Sequence, residues 1–359
     1  MKNFLILLSV LMMLTVHVQA EELPQDLEQA LPDGTQALLE DVDLSGEDGL
    51  TGGIQRILDR ISESAGEILR QRIRGAASVL LVVVLCGAIE GLDHGTGGKA
   101  SMFLPMAGAL SVTFATAGSL DSLLGLGSQT IQELSDFSRV LLPALAAATA
   151  ASGAVTTAMV QQVASVFFVD LLLRLIDGLL MPLVYLYIGA ITASAMLPEG
   201  RLGAIAEVLK KGITWILCTS LLLFTIYLSV VHVASGAPDG AAVKVTKAAI
   251  SGVVPVVGGI IAEAAETVLA GAGMLSSTIG VFGTLAILAA CAYPFLQLGV
   301  QYLLYKLTAF LAATVGAPSL CKLIDGLGGA FGLVLGMTGS CALLLLISVL
   351  ASVAAVTPS

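Results

Sequence analysis

The chain has 359 residues, of which 57% are apolar and only 42 are charged, 16 basic and 26 acidic. Charged residues make up 12% of the chain against about 25% in a soluble domain, and mean hydropathy is +0.96. That composition excludes a water-soluble enzyme, a nucleic-acid binder and a disordered chain. No aqueous fold hides so much apolar surface, so the bilayer is the solvent. The expected fold class is all-α, a polytopic transmembrane helical bundle.

Residues 1–20 read as a secretory signal: Lys2, an apolar run from Phe4 to Val16, then Val18-Gln19-Ala20 as a small-residue cleavage site. The competing reading is an uncleaved first transmembrane helix. Either way, residues 21–75 form an extracytoplasmic acidic segment. Thirteen of the 26 acids lie between Glu21 and Glu67. Pro24, Pro32, Gly34, Gly46, Gly49, Gly52 and Gly53 make residues 21–53 loop-like or weakly structured. Over 54–74 the apolar residues Ile54, Ile57, Leu58, Ile61, Ala65, Ile68 and Leu69 recur at helical spacing, with Arg56, Asp59, Arg60, Glu63 and Glu67 on other faces. This predicts an amphipathic helix running up to the membrane, lying on its surface or packing on a partner. Arg70, Arg72 and Arg74 precede the first span, Ala76 to about Leu92. Positive residues prefer the cytoplasmic side, whereas the signal places these outside, so the cluster asks for an anionic partner, lipid or protein.

Residues 76–127 are expected to hold the first two transmembrane helices. Further apolar runs follow at roughly 101–120, 140–160, 163–180, 181–197, 212–233, 253–273, 278–293, 295–316 and 330–356. A full span needs about 20 apolar residues, so the shorter, Pro- or Gly-interrupted runs need not all cross. Pro143 and Pro182 are 39 residues apart, as are Pro255 and Pro294, and each of the second pair follows its counterpart by 112. This points to two transmembrane repeat units, 128–234 and 235–359. Pro143, Pro182, Pro255, Gly258, Gly259 and Pro294 are candidate helix breaks, and such breaks expose backbone that must line a cavity. Four crossings per unit make the repeats parallel and place Lys99, Arg201, Lys210, Lys211 and Lys322 inside. Re-entrant Pro143 and Pro255 segments make them inverted and place Lys99, Lys244, Lys247 and Lys322 inside.

The charges at membrane depth are the candidate polar or transport residues. Asp170, Arg174 and Asp177 fall at i, i+4 and i+7 on one helix face. They are either a polar track or intersubunit ion pair, or a self-neutralising salt bridge near the interface. Glu263 and Glu266, one turn apart, repel, so in a low dielectric one tends to stay protonated. They suit proton coupling or cation binding, or lie solvated at the interface. Their repeat counterparts are Ala151 and Ala154, and those of Asp170 and Arg174 are Phe282 and Ala286. A contact between Arg174 and Glu263 or Glu266 is a further expectation.

Little else carries chemistry. Cys86, Cys218, Cys291, Cys321 and Cys341 form no CxxC pair and read as small hydrophobes. His94 and His232 have no metal-ligand partner pattern. In the stretch 93–100, Asp93 and Ala100 stand where a phosphate loop needs Gly and Ser or Thr. Neither a cofactor, a metal nor a catalytic set is expected, nor a nucleic-acid partner. Gly326, Gly328, Gly329, Gly332, Gly336 and Gly339 predict close helix packing.

At Val254-Pro255-Val256-Val257-Gly258, the Glu263/Glu266 pair with Thr267-Val268-Leu269, and the later Tyr293-Pro294 and Tyr305-Lys306-Leu307, the sequence resembles the stage III sporulation protein AE family of endospore-forming bacteria. The order of parts fits too, and the resemblance covers most of the chain. It implies a component of the multiprotein channel, or feeding tube, joining mother cell and forespore across the intermembrane space during engulfment. Such a protein is made in the mother cell and sits in the outer forespore membrane. It works with other proteins of the stage III sporulation A operon and a forespore partner, and supports late forespore gene expression. Family members look permease-like, and no catalytic residues carry over. An independent secondary transporter and a non-conducting scaffold remain the alternatives.

Overall fold

With no water in a bilayer core to satisfy amides, the backbone must bond within itself, and this chain does so as helices. The computed structural model describes residues 25–32, 35–36, 46–93, 100–151, 155–197, 202–227, 258–315 and 318–354, and among them no strand occurs. Residues 1–20, read above as a signal, and Pro255, His94 and His232 lie outside the described residues. After a short α1 (Gln25–Gln29) come α2 (Gly46–Asp93) and α3 (Ala100–Ala151). Next come α4 (Val155–Leu175), a π turn (Ile176–Leu180), α5 (Met181–Met196), α6 (Leu202–Tyr227), α7 (Gly258–Val315) and α8 (Pro318–Ala354). Among the described residues, five helices are long and apolar enough to cross a membrane: α2, α3, α6, α7 and α8. The polytopic all-α bundle is therefore what the sequence builds.

The elements form hairpins. Gly108 of α3 approaches Cys86 of α2 just past their connection, and Gly280 of α7 meets Val353 of α8 at the far end of theirs. The second helix of each pair returns along the first. Side chains also fix the relation between pairs: Gly53 and Gly87 of α2 face Leu285 and Val315 of α7, so these two run parallel. Thr116 and Phe137 of α3 meet Tyr305 and Phe282 of α7, so those run antiparallel. The connections 94–99, 197–201 and 316–317 consequently join helices at one end of the bundle. Phe137, Leu141, Phe331, Val334, Met337 and Leu345 make the centre of a single large core, contributed chiefly by α3, α7 and α8.

Glycine lets these rods approach. A β-carbon at Gly127 would stand 2.2 Å from Val334 Cγ1, and one at Gly329 2.7 Å from the Tyr187 hydroxyl. The expected packing role of the α8 glycines holds at Gly326, Gly328, Gly329 and Gly332, each set against a side chain of α5 or α7.

Three expectations of broken helices are corrected. Pro143 lies inside α3 and Pro294 inside α7, both continuous. The runs 278–293 and 295–316 are thus one helix, which starts at Gly258 and Gly259, and the runs 163–180 and 181–197 are one rod. At Pro182 the chain accommodates the ring differently: the Met181 N–H bonds the Ile176 carbonyl, five residues back, and the widened turn carries the helix onward. A proline removes one hydrogen bond, and packing on both sides holds the rod through the loss. The boundaries at 75/76 and 127/128 likewise fall inside α2 and α3. Both proposed units still end in a hairpin, α5 with α6 and α7 with α8.

Candidate functional site

The amphipathic stretch 54–74 is the first half of α2, continuous with the span that follows. Its apolar face packs on this chain itself: Ile57 closes a small core with Leu285, Ala289 and Ala292 of α7, flanked by Leu50, Ile54 and Ile61. Part of this face is thus covered within the chain itself, whereas Leu58 and Leu69 of the same stretch stay exposed, at 58% and 44%. Arg72 reaches across the same interface, its guanidinium donating to Gln297 Oε1 at 2.6 Å. An amide oxygen, not an anion, takes this member of the arginine cluster, and Arg70 and Arg74 remain exposed.

Arg72 and Gln297 open a polar seam through the core. Gln301, 1% exposed, lies one turn on, and Tyr305 beyond it donates to Thr116 Oγ1 at 3.1 Å. Among the described residues, the Arg72 Nε and Gln301 Oε1 are buried without a hydrogen-bond partner, a complementary donor and acceptor. Beside the seam, Pro294 leaves the Ala290 carbonyl without its i+4 donor, and both line a cavity of about 350 Å³ with Arg60, Ser64, Thr130 and Glu133.

Asp170 and Arg174 of α4 and Asp177 of the π turn lie along one groove. Arg174 Nε donates to Asp170 Oδ2 at 2.8 Å, and Asp177 shares their groove. The facing wall is α3, where Arg139 pairs with Asp136 at 3.0 Å, and the groove encloses about 640 Å³. Asp136, Arg139, Arg174 and Asp177 are exposed and Asp170 is half-buried, and the local self-neutralising bridge describes Asp170 and Arg174. Their repeat counterparts Phe282 and Ala286 are buried core, which makes the two halves chemically unlike. Glu263 and Glu266 lie on the backbone of α7, and their side chains fall outside the described residues. Arg174 bonds Asp170 of its own helix, and the expected contact with Glu263 or Glu266 lies outside the described side chains.

One constellation escaped sequence reading. Lys306 of α7 donates to Asp325 of α8 at 2.5 Å, and its ammonium lies 5.8 Å from the Tyr302 ring centroid. The ion pair opens on a crevice of about 880 Å³ between α5, α6, α7 and α8, lined also by Tyr187, Glu207, Lys210 and Lys322. The Tyr187 hydroxyl donates to the Gly326 carbonyl at 2.9 Å. The partners stand 19 residues apart on different helices, so no within-helix spacing reveals them. The only available signal was Lys306 amid apolar residues.

Around this end the outward side chains are apolar: Leu81 and Leu85 of α2, Phe103 and Phe114 of α3, Leu186 of α5, Leu307 and Phe310 of α7. A lipid-facing belt, a packed core and a half-buried interhelical ion pair define a multi-pass helical membrane protein. The chain belongs to the stage III sporulation protein AE family, whose profile matches residues 41–356. A relative bearing that name, from Bacillus subtilis (strain 168), is 24% identical over 202 residues, which cover 56% of this chain and 51% of the relative. The match thus spans about half the length of that curated relative. No solved structure matches the chain. It is accordingly a sporulation-related membrane protein.

Proposed function

We propose that this protein is a membrane component of a multiprotein channel between mother cell and forespore, permease-like in build and supporting forespore development. The carrying observation is the family match over 41–356, which takes in the whole described membrane bundle. On this reading it resides in the outer forespore membrane, delivered there by a signal peptide, and acts during engulfment with other proteins of its operon and a forespore partner. The end bearing the connections 94–99, 197–201 and 316–317 faces the cytoplasm, since Lys99, Arg201, Lys210, Lys211 and Lys322 gather along that part of the sequence.

The interhelical Lys306–Asp325 pair beside an open crevice favours one further reading, an independent secondary transporter. Variants in the sporulating host separate the two and the scaffold alternative. Glu263→Gln with Glu266→Gln, and separately Asp325→Asn, abolish forespore-specific reporter expression with the complex still assembled if conduction is the role. A scaffold tolerates all three and fails when the exposed Leu58 and Leu69 are made polar. Co-purification of operon partners from engulfing cells is the assembly readout. Full activity without any partner would overturn the channel-complex reading in favour of the independent transporter.

A further inference from the structure

We propose that the crevice between α5, α6, α7 and α8 binds a phosphate group, supplied by an anionic phospholipid or by a free phosphate compound. The inference stands on charge and does not depend on the channel reading. Lys306 is neutralised by Asp325, and Glu207 pairs with Lys211 at 3.8 Å, a lysine outside the crevice lining. That leaves Lys210, half-buried, and Lys322, each lining the crevice with no carboxylate within ion-pair reach among the described residues. The half-buried Lys210 ammonium, held between helices, is costly unless an anion meets it, and the exposed Lys322 stands at the mouth of the same crevice.

A helix end adds to the same sign. α8 begins at Pro318, and its first-turn residue Ser319 lines the crevice. The unpaired N–H groups and positive dipole end of a first turn favour an oxyanion. Two lysines and one helix start present diverging donors, which suit a tetrahedral phosphate better than a planar carboxylate. The volume of about 880 Å³ admits a glycerophosphate headgroup with room for acyl stems along Phe310, Ile191 and Leu323. Basic recesses between transmembrane helices at the cytoplasmic side take anionic headgroups in this manner.

The test uses the full chain in nanodiscs of phosphatidylcholine alone or mixed with phosphatidylglycerol. Native mass spectrometry and thermal unfolding are read with and without inorganic phosphate. Retained phosphatidylglycerol and raised thermal stability in the mixed discs assign the lipid source. Stabilisation by inorganic phosphate in phosphatidylcholine discs assigns a free source. Lys210→Gln with Lys322→Gln should weaken either effect about tenfold in apparent affinity, one tenfold step being roughly 1.4 kcal/mol. Lys211→Gln should leave it unchanged, and the double Arg replacement should preserve it. Should the double Gln variant misfold, Lys322→Gln alone, at an exposed position, carries the test. No stabilisation by either source, or undiminished binding in the Gln variants, overturns the proposal.

Discussion

At Gly127 the distance between α3 and α8 is set by the absence of a single carbon. A methyl there would overlap Val334 Cγ1, part of the core, so either the helices part or the valine leaves its rotamer. Gly127→Ala should therefore lower stability by about 1–3 kcal/mol, read as a fall in unfolding temperature in detergent. Gly118, with open space where a β-carbon would go, should accept alanine with no loss, and a helix-interior glycine there gains about 0.5–1 kcal/mol from the change. Equal effects at the two positions would show that the close approach is absent. Composition foretold glycine packing, yet which glycine meets which side chain depends on the order of helices around the core. The exposed Asp170–Arg174 bridge should matter little: Arg174→Ala is expected to cost under about 1 kcal/mol, because water or headgroups screen both partners.

Between elements, the informative contact is α2 on α7. Periodicity showed that one face of 54–74 is apolar, and it was silent on what covers that face, because amphipathicity is the same whether the cover is lipid, a partner or the same chain. Ile57 against Leu285, Ala289 and Ala292 supplies the missing piece. Ile57→Glu should free the first half of α2, seen as faster backbone hydrogen exchange over 50–66 with the span 76–92 still protected. Uniform exchange along α2 would mean the two halves unfold together. The Arg72–Gln297 bond ties the two regions at their border. Arg72→Ala should cost about 1.5–3 kcal/mol, as a hydrogen bond to a charged group does, and the cost should vanish in a Gln297→Leu background. Additive losses would show that Arg72 acts elsewhere. The prolines explain the opposite failure: a break was expected wherever a ring removes an N–H, and packed rods absorb that loss at Pro143 and Pro294.

Taken whole, the molecule is taller than its solvent. The 58 residues of α7 rise about 87 Å, against about 30 Å of hydrocarbon. The belt through Leu81, Phe103, Phe114 and Phe310 marks one stretch, whereas Arg56, Asp59, Arg139 and Arg174 lie along another. Charged side chains of α2, α3 and α4 therefore gather towards the end away from the connections. Membrane class and helical content were plain from composition, since only helices or closed barrels survive in lipid. Run lengths misled on the number of rods, because a helix longer than the bilayer looks like two short ones with a proline between. An impermeant thiol reagent on intact cells should label Ser62→Cys, in a background without native cysteines, and spare Ser319→Cys. Reversed labelling would invert the orientation.

The wide turn at Ile176–Leu180 has a bearing on how the rod can change. It absorbs one residue more than an α-helix of the same rise, so any helical wheel drawn straight through it misplaces Tyr187 relative to Arg174 by about 100°. The extra residue is slack. Removing Gly178 can be taken up by closing the turn, leaving the faces before and after it in phase, and an insertion elsewhere in 155–196 has no such reserve. Length variation within this span should therefore be tolerated at those five positions and almost nowhere else along the rod.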